Sequence, residues 1–235
     1  MKRIIRLEET DSTNEYAKRN LSLLKNGDTV ISSRQTAGKG TSGRSFYSPE
    51  NGLYMSVVLI SPKKELLPYV TPSAAVAVKN ALNKRYGVSV KIKWVNDILI
   101  GGKKVCGILC EHVSDAAIIG IGVNLSEPEG GFPEELKNVA CAVSPLPVSS
   151  REKLKLARLI RNNLLTLFSE DPQKVIAEYA ASSAVIGKRV EITRGEEKTV
   201  GTASRITEKG YLVIKNGEKE IVVSSGTLRF ADKNE

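Results

Sequence analysis

The stretch VKIKWVNDILIGGKKVCGILCEHVSDAAIIGIGVNLS, residues 90–126, carries the fold. Three runs rich in Ile and Val, 90–100, 104–113 and 116–126, are punctuated by Gly101-Gly102 and Ser114-Asp115. Short apolar runs joined by tight turn signals read as an antiparallel meander. Several residues in it do not serve a strand. Asn96 and Asp97 stand beside Trp94, the only tryptophan. Polar side chains in mid-strand are disfavoured unless they have partners or work to do, and a bulge or turn at Asn96-Asp97 and a solvated strand end at Lys104 are the other readings. Lys104 opens the second strand, and Gly107 leaves space three residues on. Gly120, Gly122 and Asn124 share one parity and therefore one face. Glycine weakens a strand, so close approach by a ligand or another backbone is a reason for it to be there.

Upstream, residues 3–8 read as a strand and Ser12-x-x-Glu15 as a capping box opening a helix from Thr13 to Leu24. Residues 29–35 and 53–61 are strands, and 72–87 has helical periodicity with a stop at Gly87. Downstream, 127–148 is a Pro- and Gly-rich loop, and loops of that length are often functional. Ser149-x-x-Glu152 is a second capping box, opening a long amphipathic helix that Asp171-Pro172 ends. A further helix runs to about Ser182. Near Gly187 the pattern changes to five short strands with frequent turns, including the hairpin signal Lys215-Asn216-Gly217-Glu218. The expected fold class is α+β: a mixed, largely antiparallel sheet with packed helices over 1–184, then a small β-barrel over 185–235.

Composition narrows the function. At 235 residues and 41% hydrophobic, the chain buries a core and is not a disordered tail. No apolar run approaches the ~20 residues of a membrane helix. The N-terminus, MKRIIRLEET, turns charged before a secretory segment can form, so a cytoplasmic protein is expected. Cys106, Cys110 and Cys141 are odd in number and match no metal or redox spacing, which reads as free thiols. His112 is the only histidine and sits at a strand end, which excludes His-rich zinc sites and reads as structural or solvent-facing. Chemistry then falls to Lys, Arg, Asn and Asp. The net charge of +9 favours anionic partners.

The segment RQTAGKGTSGRSFYSPENG, 34–52, contains a literal G-x-G-x-x-G at Gly38, Gly40 and Gly43. A dinucleotide-binding loop must open a helix, and RSFYSPENG does not. A kinase glycine loop would join two strands, but nothing resembling H-R-D or D-F-G follows. What remains is a glycine loop between strands bearing Lys39 and Arg44. Its free N–H groups and cations suit closure over a small molecule with phosphates, and a surface hairpin with incidental cations fits the loop alone equally well.

Taken together, DSTN (11–14), QTAGKGTSGR (35–44), SP (48–49), KWVNDIL (93–99), GKKVCGIL (102–109), GIGVNL (120–125) and the C-terminal TLRF occur in an order and spacing that resembles the biotin protein ligases across essentially the whole chain. The resemblance implies a class II synthetase-like catalytic fold with a C-terminal SH3-like barrel. It implies an enzyme that uses ATP and Mg²⁺ to activate biotin as biotinyl-AMP and passes it to a lysine of a biotin carboxyl carrier domain. It implies biotin contacts at Ser12, Thr13, Asn14, Gln35, Lys39, Gly40, Thr41 and Lys104, in a pocket with Gly107, Gly120 and Gly122. Lys104 and Lys39 are the implied catalytic cations. Arg44, Phe46, Asn96 and Asn124 fall on the ATP side, and Arg229 is a candidate from the C-terminal barrel. No metal ligands are implied. A homodimer is the assembly it suggests, and neither nucleic acid nor membrane is an expected partner. Because the pattern starts within the first ten residues, the type without an N-terminal DNA-binding domain is expected.

The chain departs from the family pattern at Thr41, where arginine is typical, at Val95, where proline is typical, and at Phe46, where tryptophan is typical. Two other readings remain. A lipoate or octanoate ligase or transferase shares the fold, but typically carries a histidine near its glycine loop, which this chain lacks. A non-catalytic nucleic-acid-binding module would explain the charge and the small barrel, but not Asn96, Asp97 and Lys104.

Overall fold

The computed structural model describes residues 2–231. Its larger sheet has seven strands: β1 (Ile4–Thr10), β2 (Thr29–Gln35), β3 (Gly52–Ile60), β4 (Lys91–Lys93), β5 (Asp97–Ile100), β6 (Lys103–Val113) and β7 (Ala116–Asn124). Their order is β1-β2-β3-β7-β6-β5-β4, and only the β1–β2 pair is parallel. The mixed, largely antiparallel sheet of the sequence reading is therefore present. β3 is central and buried along nearly its whole length, which is why GLYMSVVLI reads as a continuous apolar run rather than an alternation.

The two faces of this sheet are covered differently. Met55, Val57, Ile119 and Ile121 pack on α2 (Val70–Tyr86), which is itself packed against α3 (Ser150–Leu167) and α4 (Pro172–Ala181). Val58 and Ile118, of the opposite parity, meet Ala17 of the short helix α1 (Thr13–Arg19). This second face is only partly covered, and the space beside α1 holds the site.

Three local expectations are corrected. The first helix does not run to Leu24; it ends at Arg19 and a 3₁₀ turn, Leu21–Leu23, follows. Ser12 takes the N-cap place but makes no side-chain cap hydrogen bond. The Thr13 N–H is bound by Gln35 Oε1 at 2.9 Å, and Ser12 lines the cavity. The run 90–100 is not one strand: β4 and β5 are a tight hairpin, so the meander has four strands and Asn96 lies in the turn. The second capping box holds, with Ser149 Oγ accepting from Glu152 N, and Asp171 caps α4 with Pro172 in its first turn.

The C-terminal strands are β8 (Arg189–Arg194), β9 (Glu197–Ile206), β10 (Leu212–Asn216), β11 (Lys219–Val223) and β12 (Thr227–Phe230). They form an antiparallel sheet in the order β11-β10-β9-β8-β12, with the expected hairpin turn between β10 and β11. Val190, Ile192, Leu212 and Leu228 belong to the same apolar cluster as Trp94 and Tyr179. The small sheet is thus packed onto the β4–β5 hairpin, and the Trp94 indole N–H donates to Gly210 O at 3.1 Å.

Candidate active site

One cross-strand row forms the floor. Tyr54 of β3 lies opposite Gly122 of β7, Gly122 opposite Gly107 of β6, and Gly107 opposite Asp97 of β5. The neighbouring row on this face is Ser56, Gly120 and Leu109. The glycines lower the floor, and what fills the space is protein. A methyl group on Gly120 would stand 2.5 Å from Asn14 Oδ1, and one on Gly122 would stand 2.6 Å from the Phe46 ring. Gly107 gives room to both Phe46 and the Lys104 ammonium.

Above this floor is a cavity of about 130 Å³. Its inner end is lined by Ser12, Thr13 and Asn14 from the start of α1. These three are buried and polar, and Ser56 links Thr13 to Asn14. Ser56 Oγ lies 2.6 Å from Asn14 Oδ1 and 2.8 Å from Thr13 Oγ1. Gln35 Nε2 donates to Ser48 Oγ at 2.9 Å, and Ser48 Oγ donates to Phe46 O at 2.8 Å. The glycine loop is therefore tied to the α1 terminus through Gln35.

The mouth of the cavity is cationic. Lys39, Gly40, Thr41, Arg44 and Phe46 reach it from the glycine loop, and Asn96, Lys104, Gly107, Gly120 and Gly122 from the sheet. None of the residues lining this inner cavity is a carboxylate. Lys104 Nζ pairs with Asp97 Oδ1 at the edge of the floor and lies 5.5 Å from the centre of the Phe46 ring. Lys39 pairs with Glu15 at 2.8 Å, and the hydrogen bonds from Lys39 and Lys18 hold the Glu15 carboxyl below its ordinary range. Arg44 folds back on Thr41, donating to its Oγ1 at 2.9 Å and to its carbonyl.

A wide groove continues outward between the glycine loop, the 127–141 loop and β12. Asn124 lines it, together with Asp97, Lys93 and Phe230. Asn124 donates to Cys141 O at 3.2 Å, and Asn96 donates to Ile108 O at 2.6 Å. Both amides thus brace the backbone around the groove. Arg229 is exposed on β12, opposite Glu191, and lines neither space. Of the residues named from the sequence it is the one the structure leaves outside the site.

Sequence reasoning passed over Lys93, Ser56 and Glu111. Lys93 sits under Phe230, 5.7 Å from its ring centre. Burial, and then the charges of Lys104, Arg44 and Arg229, lower its pKa against the pull of Asp97. Its signal was the K of KWVNDIL. Ser56 and Glu111 had no signal, since Ser56 became a site neighbour only through strand pairing and Glu111 only through its contacts with Asn14 and Lys18. The three cysteines are free, and His112 is exposed on β6.

The profile of the biotin/lipoate A/B protein ligase family matches residues 7–124, and that of the biotin protein ligase C terminal domain matches 185–227. The bifunctional ligase/repressor BirA of Bacillus spizizenii is 41% identical over 209 residues, covering 82% of this chain and 62% of its own length. The biotin–[acetyl-CoA-carboxylase] ligase of Mycobacterium tuberculosis is 29% identical over 213 residues, covering 86% of this chain and 78% of its own. The chain thus spans 62% of the length of the Bacillus BirA relatives. The biotin protein ligase from Aquifex aeolicus in complex with biotin and ATP superposes with a TM-score of 0.85 at 31% identity, covering 98% of this chain and 100% of that one. With both profiles, this identity and a shared fold over its length, the chain belongs to the biotin protein ligase family.

Proposed function

We propose that this protein catalyses ATP-dependent ligation of biotin to a lysine of a biotin carboxyl carrier domain. The observation that carries the reading is the polarity of one cavity: an uncharged, hydrogen-bonding inner end at Ser12, Thr13 and Asn14, and a mouth with Lys39, Arg44 and Lys104. A heterocyclic head fits the first and a carboxylate meeting phosphates fits the second. In the first step a carboxylate oxygen attacks the α-phosphorus of ATP and pyrophosphate leaves. Two polyanions must approach, and cations fixed in place offset their repulsion. Lys104 stands where biotin carboxylate and α-phosphate would meet. In the second step the carrier lysine attacks the acyl carbon, and AMP leaves. Phe46 and the glycine loop cover the space, which limits access of water to the mixed anhydride.

ATP would lie in the outer groove, with Arg44, Lys93 and Asn124 on its path. Mg²⁺ would enter as part of the substrate MgATP. Among the described residues no group of three His, Cys, Asp or Glu is placed to hold a metal, and Asp97 is the carboxylate nearest Lys104. Residues 1–184 act as the catalytic domain and 185–235 as a C-terminal domain, a division supported by the change of sheet between Ala181 and Arg189. β1 is a free edge of the large sheet, consistent with a homodimer. No described helix is long and apolar enough to cross a membrane, and the enzyme is proposed to work in the cytoplasm.

The test is biotin-dependent ATP–pyrophosphate exchange with Mg²⁺, run beside lipoate and octanoate. Exchange with biotin alone is expected. Exchange with lipoate or octanoate instead moves the protein to that branch of the family, and exchange with none removes the ligase reading.

A further inference from the structure

Asn14 is buried, and its amide has two possible orientations. In the structure Nδ2 donates to Leu109 O at 3.2 Å and to Glu111 Oε2 at 2.7 Å, while Oδ1 accepts from Ser56. Turning the amide over would set its oxygen against a carbonyl and a carboxylate, both acceptors. Ser56 does not decide the matter, because a hydroxyl can accept as well as donate. Leu109 O alone would oppose the turn with one contact. Glu111 adds a second, charged one, and charge-assisted hydrogen bonds are the stronger kind.

Glu111 is itself fixed. Its other oxygen pairs with Lys18 at 2.7 Å, and Lys18 pairs with Glu15 at 2.9 Å. Burial works against the charge on Lys18, but the hydrogen bonds it donates to Glu111 and Glu15, with their negative charges, outweigh that and its pKa is raised. Glu111 does not line the cavity, so whatever it does there it does through Asn14. An amide oxygen has two lone pairs, and Ser56 uses one. The second takes part in no hydrogen bond among the described residues, and Asn14 lines the cavity, in the space that Gly120 leaves for it.

We propose that Glu111 is a positioning residue that holds the Asn14 amide oxygen toward the cavity, so that the inner end selects ligands bearing N–H donors, such as a cyclic urea. The inference rests on the biotin reading and adds a residue to it. It predicts that the Glu111→Gln variant, of nearly the same shape, loses discrimination rather than fold. The new side-chain amide can donate to a turned Asn14 oxygen, so both orientations become populated.

The experiment measures KM for biotin and for ATP in pyrophosphate exchange, with a biotin analogue in which a ureido N–H is replaced by oxygen as a second acid. Circular dichroism melting serves as the fold control. In Glu111→Gln the KM for biotin should rise by about tenfold, the magnitude of one hydrogen bond in a buried site. The KM for ATP should stay within about twofold, since the nucleotide does not touch Asn14 in this reading. The preference for biotin over the analogue should collapse toward unity. Ser56→Ala should keep that preference, because Glu111 still sets the amide. Equal loss for biotin and ATP, an unchanged preference in Glu111→Gln, or a preference lost in Ser56→Ala would each overturn the positioning role. Should Glu111→Gln fail to fold, the Ser56→Ala preference decides alone. Wild-type protein inactive with biotin overturns the functional reading and this inference with it, whereas an active wild type with unaltered variants overturns only the inference.

Discussion

Lys104 Nζ lies 2.6 Å from Asp97 Oδ1, although Asp97 is paired across the sheet with Gly107 and not with Lys104. A bulge makes this possible. The register between β5 and β6 shifts at Ile98/Leu99, so Val105 and Cys106 are both buried, and Lys104 and Gly107 come to the same face. The lysine is thereby held beside the cavity floor by a carboxylate that the inner cavity itself lacks.

Removing that ammonium should cost more in rate than in stability. Lys104→Ala is expected to lower biotin-dependent exchange by about 10²–10³, the usual effect of deleting one charge-stabilising donor. Its melting temperature should move little, since the side chain is one-third exposed. Exchange rates read beside thermal melts check both parts.

Gly120→Ala should act in the opposite sense. The added methyl would stand 2.5 Å from Asn14 Oδ1, and the Asn14 amide, fixed by two hydrogen bonds from Nδ2 and one to Oδ1, cannot simply move away. Overpacking of this kind costs about 1–3 kcal/mol. The variant should fold with a lowered midpoint in urea and bind biotin weakly by calorimetry, while nucleotide binding persists.

Thr41 stands where the family pattern has arginine, and on the proposed function the loop would lack a charge-assisted contact to the adenylate there. Its hydroxyl and carbonyl instead hold Arg44. Thr41→Arg is expected to slow release of biotinyl-adenylate by about tenfold or more, as a charged hydrogen bond is worth about 1.5–3 kcal/mol. Single-turnover release of labelled adenylate measures it, and an unchanged release rate would show that the loop retains the intermediate by other means.

Much of the site could be read from the chain, and what could not has geometric causes. The motif residues from Ser12 to Phe46 lie on contiguous segments, so order along the chain foretold their neighbourhood. Parity alone put Gly120, Gly122 and Asn124 on one face, correctly. Parity would put Lys104 and Gly107, three apart, on opposite faces, and a bulge, which leaves no mark in a pattern of alternating residues, brings them to one. At Asn96 the run VKIKWVNDILI holds a hairpin turn, one of the two readings that its polar pair left open. Glu111 was invisible because its role depends on its side chain reaching Asn14 of α1, a contact between residues 97 positions apart. Gly120 and Gly122 were read as space for a ligand, and here the space is taken up by Asn14 and Phe46.

Lys93 should give nucleotide binding an alkaline limb. Burial and three nearby cations lower its pKa, so on raising the pH it loses its proton before an ordinary lysine with a pKa of about 10.4 does. KM for ATP should therefore rise on the alkaline side, and Lys93→Arg should remove that rise. The sign for stability is the reverse. The unfolded chain binds this proton more tightly, so the cost of burying charged Lys93 is relieved as pH increases through the folded-state pKa. KM for ATP measured across alkaline pH in both proteins tests the limb.

Tyr179 of α4 donates to Val95 O at 2.8 Å, directly behind the turn that carries Asn96. Tyr179→Phe keeps the buried ring and leaves that carbonyl without its partner, at a cost of about 1 kcal/mol. Denaturant unfolding should show this loss, and KM for ATP should rise while KM for biotin does not.

The clamp between Trp94 and Gly210 gives the chain a built-in optical reporter. Trp94 is the only indole in the protein, is 3% exposed, and is pinned at the seam where the C-terminal sheet meets the hairpin beside the outer groove. Its emission therefore comes from one place and one environment. Any ligand or partner that lifts the small sheet, even slightly, would wet that ring and shift its colour, so the seam can be watched opening in unlabelled protein while the enzyme turns over.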